Sequence, residues 1–556
     1  MAALRLNRRT LLKSSLAAAA VGVVDQCGSR LLAGEKSAVD IGSETQLFLD
    51  DWVIDRREGL RRTLHQPTKR GLINKADGSD WDRGDVYHGN IVCRDSSGRF
   101  HMTYRYTWSD PSVRSLHANI GDDKAHWFRE SIAYATSQDG IHWQQPVLDL
   151  VEGPTEFVKQ DAFPFWVPAG KSKRNNLGCP IDFIYDLHAH GNIADPAKRF
   201  LLRVARRNDT HPFAEVVESQ MYFAADWPDF VGDRDWKRKL TPIRGGNLSP
   251  RGFRTLCGWD HAERAWFATA QDHLHNWIPR GGRDIARMFS PDLVTWKGGQ
   301  LVLSVAKDES RTPRDWVEYM DLNAYRVGGP KSGAWLGQLN VFHSDRSNSQ
   351  YKMPGRKDDV CRKGVTEIRL VLSRDAGKTW QRVADKQAWL PHHEQEHGYD
   401  RLVFQAQSVR VGDEMWCYYG AWDGDHLTFN RDGSLYEPGF LRTGRTARAT
   451  MRVDGHLSLD AGQQPGSVLT RPLRFSGDKL VVNLDAPRGR LRAEMQDESG
   501  RPIPGFALAD CAATSGNGLA LAVQWRGDAR LGRLAQRAVR LRLEFAHGSL
   551  YSFAFR

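Results

Sequence analysis

The chain has 556 residues, with 78 Lys and Arg against 67 Asp and Glu, a formal net charge of +11, and 40% hydrophobic, 10% aromatic and 26% charged residues. This content excludes a disordered chain, the lack of a Gly-X-Y period excludes collagen, and no apolar run reaches the ~18 residues of a membrane span. At about 100–200 residues per domain, the length predicts two to four domains, or one large repeat domain with a smaller companion.

Residues 1–36 read as an export signal. Asn7-Arg8-Arg9-Thr10-Leu11-Leu12-Lys13 is a paired-arginine head, and 16–24 is an apolar stretch too short to cross a bilayer. Together they resemble a twin-arginine signal. Cleavage is expected near Ala33 or Ala38, and Cys27 follows Asp25-Gln26, which lack the small side chains of a lipobox. The segment holds six basic and two acidic residues, so the remaining chain carries +7. The expectation is a bacterial protein exported folded by the twin-arginine machinery to the periplasm or the cell exterior.

After the signal the chain reads as β: short runs of Val, Ile, Phe, Tyr and Trp between Gly, Asp, Asn and Pro turns. Leu47 to Ile54 predicts a strand that closes a ring, with Asp50 and Asp51 as its caps. A corner then recurs. Ser137-Gln138-Asp139-Gly140-Ile141-His142-Trp143, Ser290-Pro291-Asp292-Leu293-Val294-Thr295-Trp296 and Ser373-Arg374-Asp375-Ala376-Gly377-Lys378-Thr379-Trp380 each follow an apolar strand, and a degenerate copy is expected at Ala225-Asp226 and Trp236. The Asp accepts backbone N–H groups across the turn, Gly allows positive φ, and Trp packs back between sheets. The third copy resembles the Asp-box of sialidase-type propellers. A second element, strand–turn–strand, begins near Ile91, Ile181, Thr255, Ala324 and Ser408. Five such units between about 85 and 450, each with room for four strands, predict a five-bladed β-propeller over 45–462.

The last 90 or so residues change character. Runs at 480–484, 491–495, 519–525 and 539–543 alternate with a period near two, predicting a β-sandwich over 467–556. Cys93, Cys179, Cys257, Cys361, Cys417 and Cys511 have no CxxC spacing, and buried free thiols are expected.

In a propeller the starts of the innermost strands converge on a central funnel, so functional groups are sought there. These positions offer Asp85, Tyr87 and His88 in unit one, Asp182 in unit two, Arg254 in unit three, Glu318 and Tyr319 in unit four, and Asp400 with Gln405 in unit five. With these residues the chain resembles the five-bladed propeller glycosidases, the superfamily of glycoside hydrolase families 32 and 43, over most of 45–556, and in particular family-32-like exported proteins of Planctomycetes-type bacteria. Family 32 has an Asn-Asp-Pro nucleophile, an Arg-Asp-Pro stabiliser and a Glu-Cys acid/base. Glu318-Tyr319-Met320-Asp321-Leu322 matches the last in outline, so the resemblance implies Glu318 as general acid. Ile181-Asp182-Phe183-Ile184-Tyr185 implies Asp182 as stabiliser. Tyr87 stands where the nucleophilic Asp belongs, and Asp85 is the nearest carboxylate; Glu318 also falls in the fourth unit, where the family has it in the third.

The expected function is hydrolysis of a glycosidic bond in a poly- or oligosaccharide by paired carboxylates, without metal or cofactor. Basic residues scattered over an exported, Trp-rich chain fit an anionic glycan better than nucleic acid, which is not expected as a partner. A silent carbohydrate-binding propeller and a sialidase- or lyase-type enzyme are the alternatives. His393-Glu394-Gln395-Glu396-His397 fits the H-E-x-x-H of zinc peptidases, but Pro391 and Gly398 leave barely one helical turn; a polar loop at the funnel rim is expected.

Overall fold

The computed structural model describes residues 37–75, 85–86, 91–109, 128–154, 157–160, 163–168, 170–188, 195–208, 215–244, 253–271, 283–305, 309, 311–312, 315–345, 363–393, 400, 402–404, 408–422, 444–527 and 530–556. Among these the fold is all-β, with 3-10 turns at Pro196–Lys198, Trp236–Lys239 and Leu531–Leu534 and no α-helix.

Five antiparallel units form a five-bladed β-propeller. Blade one runs through Asp85–Val86 and Ile91–Arg94, Phe100–Ser109, Phe128–Ser137 and His142–Trp143. Blade two is Ile181–Asp186, Phe200–Asn208, Glu215–Ala224 and Leu240–Pro242; blade three is Phe253–Asp260, Ala265–Gln271, Ile285–Ser290 and Lys297–Leu303. Blade four is Asp315–Val327, Ala334–Asp345 and Lys363–Ser373, edged by Gln381–Arg382 and Ala388–Leu390. Blade five begins with Leu402–Phe404 and Ser408–Val411, followed by Glu414–Trp422 and Gly444–Arg452. The first strands lie innermost: Phe253–Asp260 rests against Asp315–Val327, and Ile181–Asp186 against Ile91–Arg94.

Alternation along each strand supplies two packing faces. In Phe100–Ser109, Met102, Tyr104 and Tyr106 join Tyr418 and Tyr419 in one core. On the opposite face His101 meets Tyr134 Oη (2.7 Å) and stacks on Trp227 at 4.7 Å. Sheets covered on both faces fully bury large aromatic side chains such as Trp143, Trp335, Tyr418 and Tyr419, and such apolar burial is the dominant favourable term.

The three recurring corners share one hydrogen-bond scheme. Asp139 Oδ1 accepts from the amides of Ile141 and His142 (2.8 Å each), Asp292 Oδ1 from those of Val294 and Thr295 (2.8 and 2.7 Å), and Asp375 Oδ1 from that of Thr379 (2.9 Å). The Trp indole then donates to a carbonyl three residues back in each: Trp143 to Gly140, Trp296 to Leu293, Trp380 to Gly377. The degenerate copy differs. Asp226 Oδ1 takes the amides of its neighbour Trp227 and of Ser96 in blade one (2.9 Å each), so it ties two blades together.

The strand that closes the ring is Thr68–Leu72, which pairs antiparallel with Gly444–Arg452 as the outer strand of blade five. The expected closing segment runs elsewhere: Gln46–Leu47 pairs with the last strand, Gly548–Phe555, and Ile54–Glu58 with Gly466–Thr470. Asp50 and Asp51 do anchor this stretch. Asp50 holds Arg374 of the blade-four corner through both oxygens (2.7 and 3.1 Å), and Asp51 pairs with Arg62.

The C-terminal strands form a second body with its own core. Nine strands, five of them drawn from 46–64 and 457–470, share one ladder around the 17-residue strand Leu480–Gln496. Ile41, Phe48 and Val53 enter its core beside Leu484, Leu541 and Phe553. In Thr514–Val523, Ala520 and Ala522 are exposed while Val523 is buried, the alternation read from sequence. Arg452, at the end of blade five, reaches across to Asn483 Oδ1 (2.6 Å) and Asn517 Oδ1 (2.5 Å). Cys93, Cys179, Cys257, Cys417 and Cys511 are buried free thiols, and burial pushes Cys257 and Cys417 up to about 12; Cys361 lies outside the described residues.

Candidate active site

The inner strands of blades two, three and four share an irregularity at their funnel ends. In blade two Ile181 faces Val204 while Phe183 faces Arg203, so Asp182 is an extra residue without a partner in the ladder. In blade three Phe253 faces Ala270 and Thr255 faces Thr269, which makes Arg254 the extra residue. In blade four the shift falls between Tyr319 and Asp321, at Met320. In blade five Phe404 faces Gly420 and Ser408 faces Cys417, and in blade one Val86 faces Tyr106 and Ile91 faces Thr103. A bulge bends its strand and re-aims side chains. The inner strands of blades two, three and four are therefore bulged near the end where the candidate residues lie. Tyr87, His88 and Gln405 lie outside the described residues; Asp85 and Arg254 are placed on their strands by backbone alone.

Glu318 sits two residues before the blade-four bulge, with its side chain fully enclosed. Arg283 Nε stands 3.6 Å from Glu318 Oε2, and the Arg283 carbonyl accepts the Tyr319 amide at 3.0 Å. Backbone and side chain thus dock one residue, just before the third strand of blade three, onto the start of the blade-four inner strand. A carboxylate withdrawn from water requires such a partner. Asp284, next in the chain, fixes the other side by accepting the Val305 amide at 2.9 Å.

Asp182 is equally enclosed, and Arg203 on the neighbouring strand grips it with two parallel hydrogen bonds, Nε to Oδ1 at 2.7 Å and Nη2 to Oδ2 at 2.9 Å. This fork-to-carboxylate geometry is a strong and directional form of ion pairing. Tyr319 points away from Glu318, because neighbours on a strand face opposite ways. It is 2% exposed, among Ile285, Val317, Leu339 and Val341 between blades three and four. Asp400 belongs to the ring closure. Its Oδ2 accepts from Lys69 Nζ (2.5 Å) on the closing strand, which also donates to the Pro391 carbonyl (2.6 Å), and its carbonyl accepts the His393 amide (3.0 Å). Lys69 therefore bridges Pro391 and Asp400, which flank the H-E-x-x-H run in sequence. Of that run His393 is described; among the described residues no group of three or more His, Cys, Asp or Glu could hold a metal ion.

The mouth of blade four holds a further polar cluster. His343 lies between Asp315 Oδ1 and Glu367 Oε1, 3.4 Å from each, and Arg369 Nη2 is 3.2 Å from His343 Nε2. Arg369 also binds Glu367 (2.6 Å) and Glu309 (2.8 Å), and Arg382 reaches Glu309. Burial pulls the His343 pKa down, but the carboxylates of Glu367 and Asp315 outweigh it and hold the imidazole above its ordinary value. Sequence reading passed over Arg283, Arg203 and this cluster. The nearest signal was Gly281-Gly282-Arg283-Asp284 ahead of an apolar strand.

No model of a known protein family and no curated protein matches this chain. Among solved structures, it is similar to a glycoside hydrolase at 12% identity and a TM-score of 0.35, over 70% of this chain and 92% of that one. A β-1,2-mannobiose phosphorylase from Listeria innocua is similar at 12% identity and 0.33, over 71% and 91%. A family 32 β-fructofuranosidase of Bombyx mori is similar at 11% identity and 0.30, over 88% and 93%.

Proposed function

We propose that this chain is an exported glycoside hydrolase that cleaves a glycosidic bond of a poly- or oligosaccharide in the propeller funnel. The observation that carries the reading is a pair of enclosed carboxylates, Glu318 and Asp182, each held by its own arginine at the bulged start of an inner strand. Glycoside hydrolysis needs one carboxyl group to protonate the departing oxygen and another across the bond to act as base or nucleophile. In this reading Glu318 gives its proton to the leaving oxygen, Asp182 stabilises the positive charge that develops on the ring, and Asp85 supplies the second carboxylate. Water contributes the hydroxyl to the anomeric carbon, and its remaining proton restores the acid. An anionic sugar would pair with Arg283 and free Glu318 to act, which favours carboxylated or sulfated substrates. The paired-arginine head supports export by the twin-arginine route to the periplasm or beyond.

One observation favours a second reading, a propeller that binds glycans without cleaving them: both carboxylates are closed off from solvent, at 0% and 1% side-chain exposure. A panel of neutral and anionic glycans, tested with wild type and Glu318→Gln, separates the two. Under the first reading wild type hydrolyses at least one glycan and Glu318→Gln loses on the order of 10²–10⁴-fold in kcat. Equal turnover by the variant removes Glu318 from the chemistry. Saturable binding with no turnover of any glycan establishes the second reading.

A further inference from the structure

The chain's positive charge is not evenly distributed. Residues 467–556 hold 14 Lys and Arg against 8 Asp and Glu, which accounts for +6 of the net charge. Several of these arginines are neutralised locally: Arg501 by Asp497 (3.0 Å), Arg540 by Asp55 (2.6 Å) and Arg542 by Glu544 (2.8 Å). Another set is not. Arg530, Arg533 and Arg537 are exposed, as are Arg474 and Lys479, and none of the five has a side-chain ion pair or hydrogen bond among the described residues.

These five lie together. Leu531 and Leu534 are 4% and 2% exposed and anchor the 3-10 turn Leu531–Leu534 in the C-terminal core, which leaves Arg530 and Arg533 on the outside. Arg530 is the N-cap of the turn, and its carbonyl accepts the Arg533 amide at 3.1 Å, which keeps the two residues at the same end of the segment. The Arg537 amide bonds back to the Leu534 carbonyl at 3.1 Å, closing a tight turn through Gln536, which has φ +61. Reciprocal backbone bonds between Leu473 and Val539 (2.7 and 3.0 Å), and one from the Gln536 amide to the Phe475 carbonyl (2.9 Å), hold the segment beside Arg474. Asp478, beside Gly532, is the acidic neighbour.

We propose that this surface docks an anionic polysaccharide, one bearing carboxylate or sulfate groups, at a site separate from the funnel. Neighbouring cations left unmatched create a field that draws a linear polyanion, and each contact releases condensed counterions. The segment 526–540 has no aromatic ring on which nucleobases could stack, and its leucines are buried rather than free to enter a bilayer. A charged glycan is the polyanion that remains.

The test uses the chain without residues 1–36, immobilised polygalacturonate and heparin, dextran as neutral control, and duplex DNA as competitor. Wild type is expected to bind both anionic polysaccharides and not dextran, with affinity falling as salt rises. The variant carrying Arg530→Gln, Arg533→Gln and Arg537→Gln is expected to bind about tenfold or more weakly at 0.1 M salt, with a shallower salt dependence. Arg474→Gln with Lys479→Gln, on the adjoining strand, should reproduce part of the loss if the triple variant folds poorly. Wild-type failure to bind either polysaccharide, equal binding by both sets of variants, or preference for DNA would each overturn the proposal. The Arg530, Arg533 and Arg537 variant should keep the wild type's turnover on the glycan panel, so failure of the hydrolase reading and failure of this surface are told apart.

Discussion

Replacing Gly140 by alanine tests whether the recurring corners act as joints between blades as well as local turns. Gly140 has φ +73, and a Cβ built there would lie 2.5 Å from Tyr418 Oη and 2.9 Å from Phe100 Cζ. Tyr418 belongs to blade five, and its hydroxyl donates to the Gly140 carbonyl at 2.7 Å across the seam where the ring closes. The left-handed backbone alone costs an alanine about 1 kcal/mol. Displacing the tyrosine strands its buried hydroxyl, about 1–3 kcal/mol, while the Gly140 carbonyl keeps the Trp143 indole, and crowding two aromatic rings adds a further ~1–3 kcal/mol. The expected total is about 3–6 kcal/mol, allowing for overlap between these contributions. Gly412→Ala is the control, because Gly412 has φ +60 but nothing within 4 Å of the added carbon. It should lose only about 1 kcal/mol. Equilibrium urea unfolding followed by tryptophan fluorescence measures both. Removing the hydroxyl first should soften the blow, so Gly140→Ala should cost less in a Tyr418→Phe background than in wild type. Equal destabilisation by Gly140→Ala and Gly412→Ala would refute the inter-blade reasoning, since the shared backbone effect would then explain everything.

Two further outcomes follow from the ion pairs. Lys69→Met leaves Asp400 enclosed without its cation and should cost about 3–5 kcal/mol, with much of the loss recovered by adding Asp400→Asn; thermal melts that are unchanged, or no recovery in the double variant, would count against a clasp at the ring closure. His343 has a folded-state pKa above its ordinary 6.5, so its contribution to stability is full below that value and is lost as pH rises through the folded-state pKa. Melting temperatures of wild type and His343→Gln should therefore converge on going from about pH 6 to pH 8, and a constant difference would contradict the assigned carboxylate contacts.

The bends that position the candidate site were hidden from sequence reading for a definite reason. A bulge is a mismatch between two strands, and Asp182 or Arg254 becomes the extra residue only once the partner strand sets the register. The arginines had no local mark either. Arg203 meets Asp182 because 21 residues fold back as an adjacent strand, and Arg283 meets Glu318 across the boundary of two blades. Tyr319 was placed beside Glu318 by sequence adjacency, whereas strand geometry sends it to the opposite face.

By itself the sequence determined what can be completed within a few residues. The Asp139, Asp292 and Asp375 corners close their hydrogen bonds inside one turn, and the strands between them follow period-two alternation, so five repeats and an all-β ring could be read directly. Tertiary structure decided which distant segments met. Thr68–Leu72 rather than the more apolar stretch before it closes the ring, because Leu47 and Ile54 are claimed by strands some 500 and 400 residues further along, where Phe48 and Val53 complete the C-terminal core. Both segments can form strands; the choice rests on which long-range pairing buries more apolar surface, and that quantity exists only in the assembled fold.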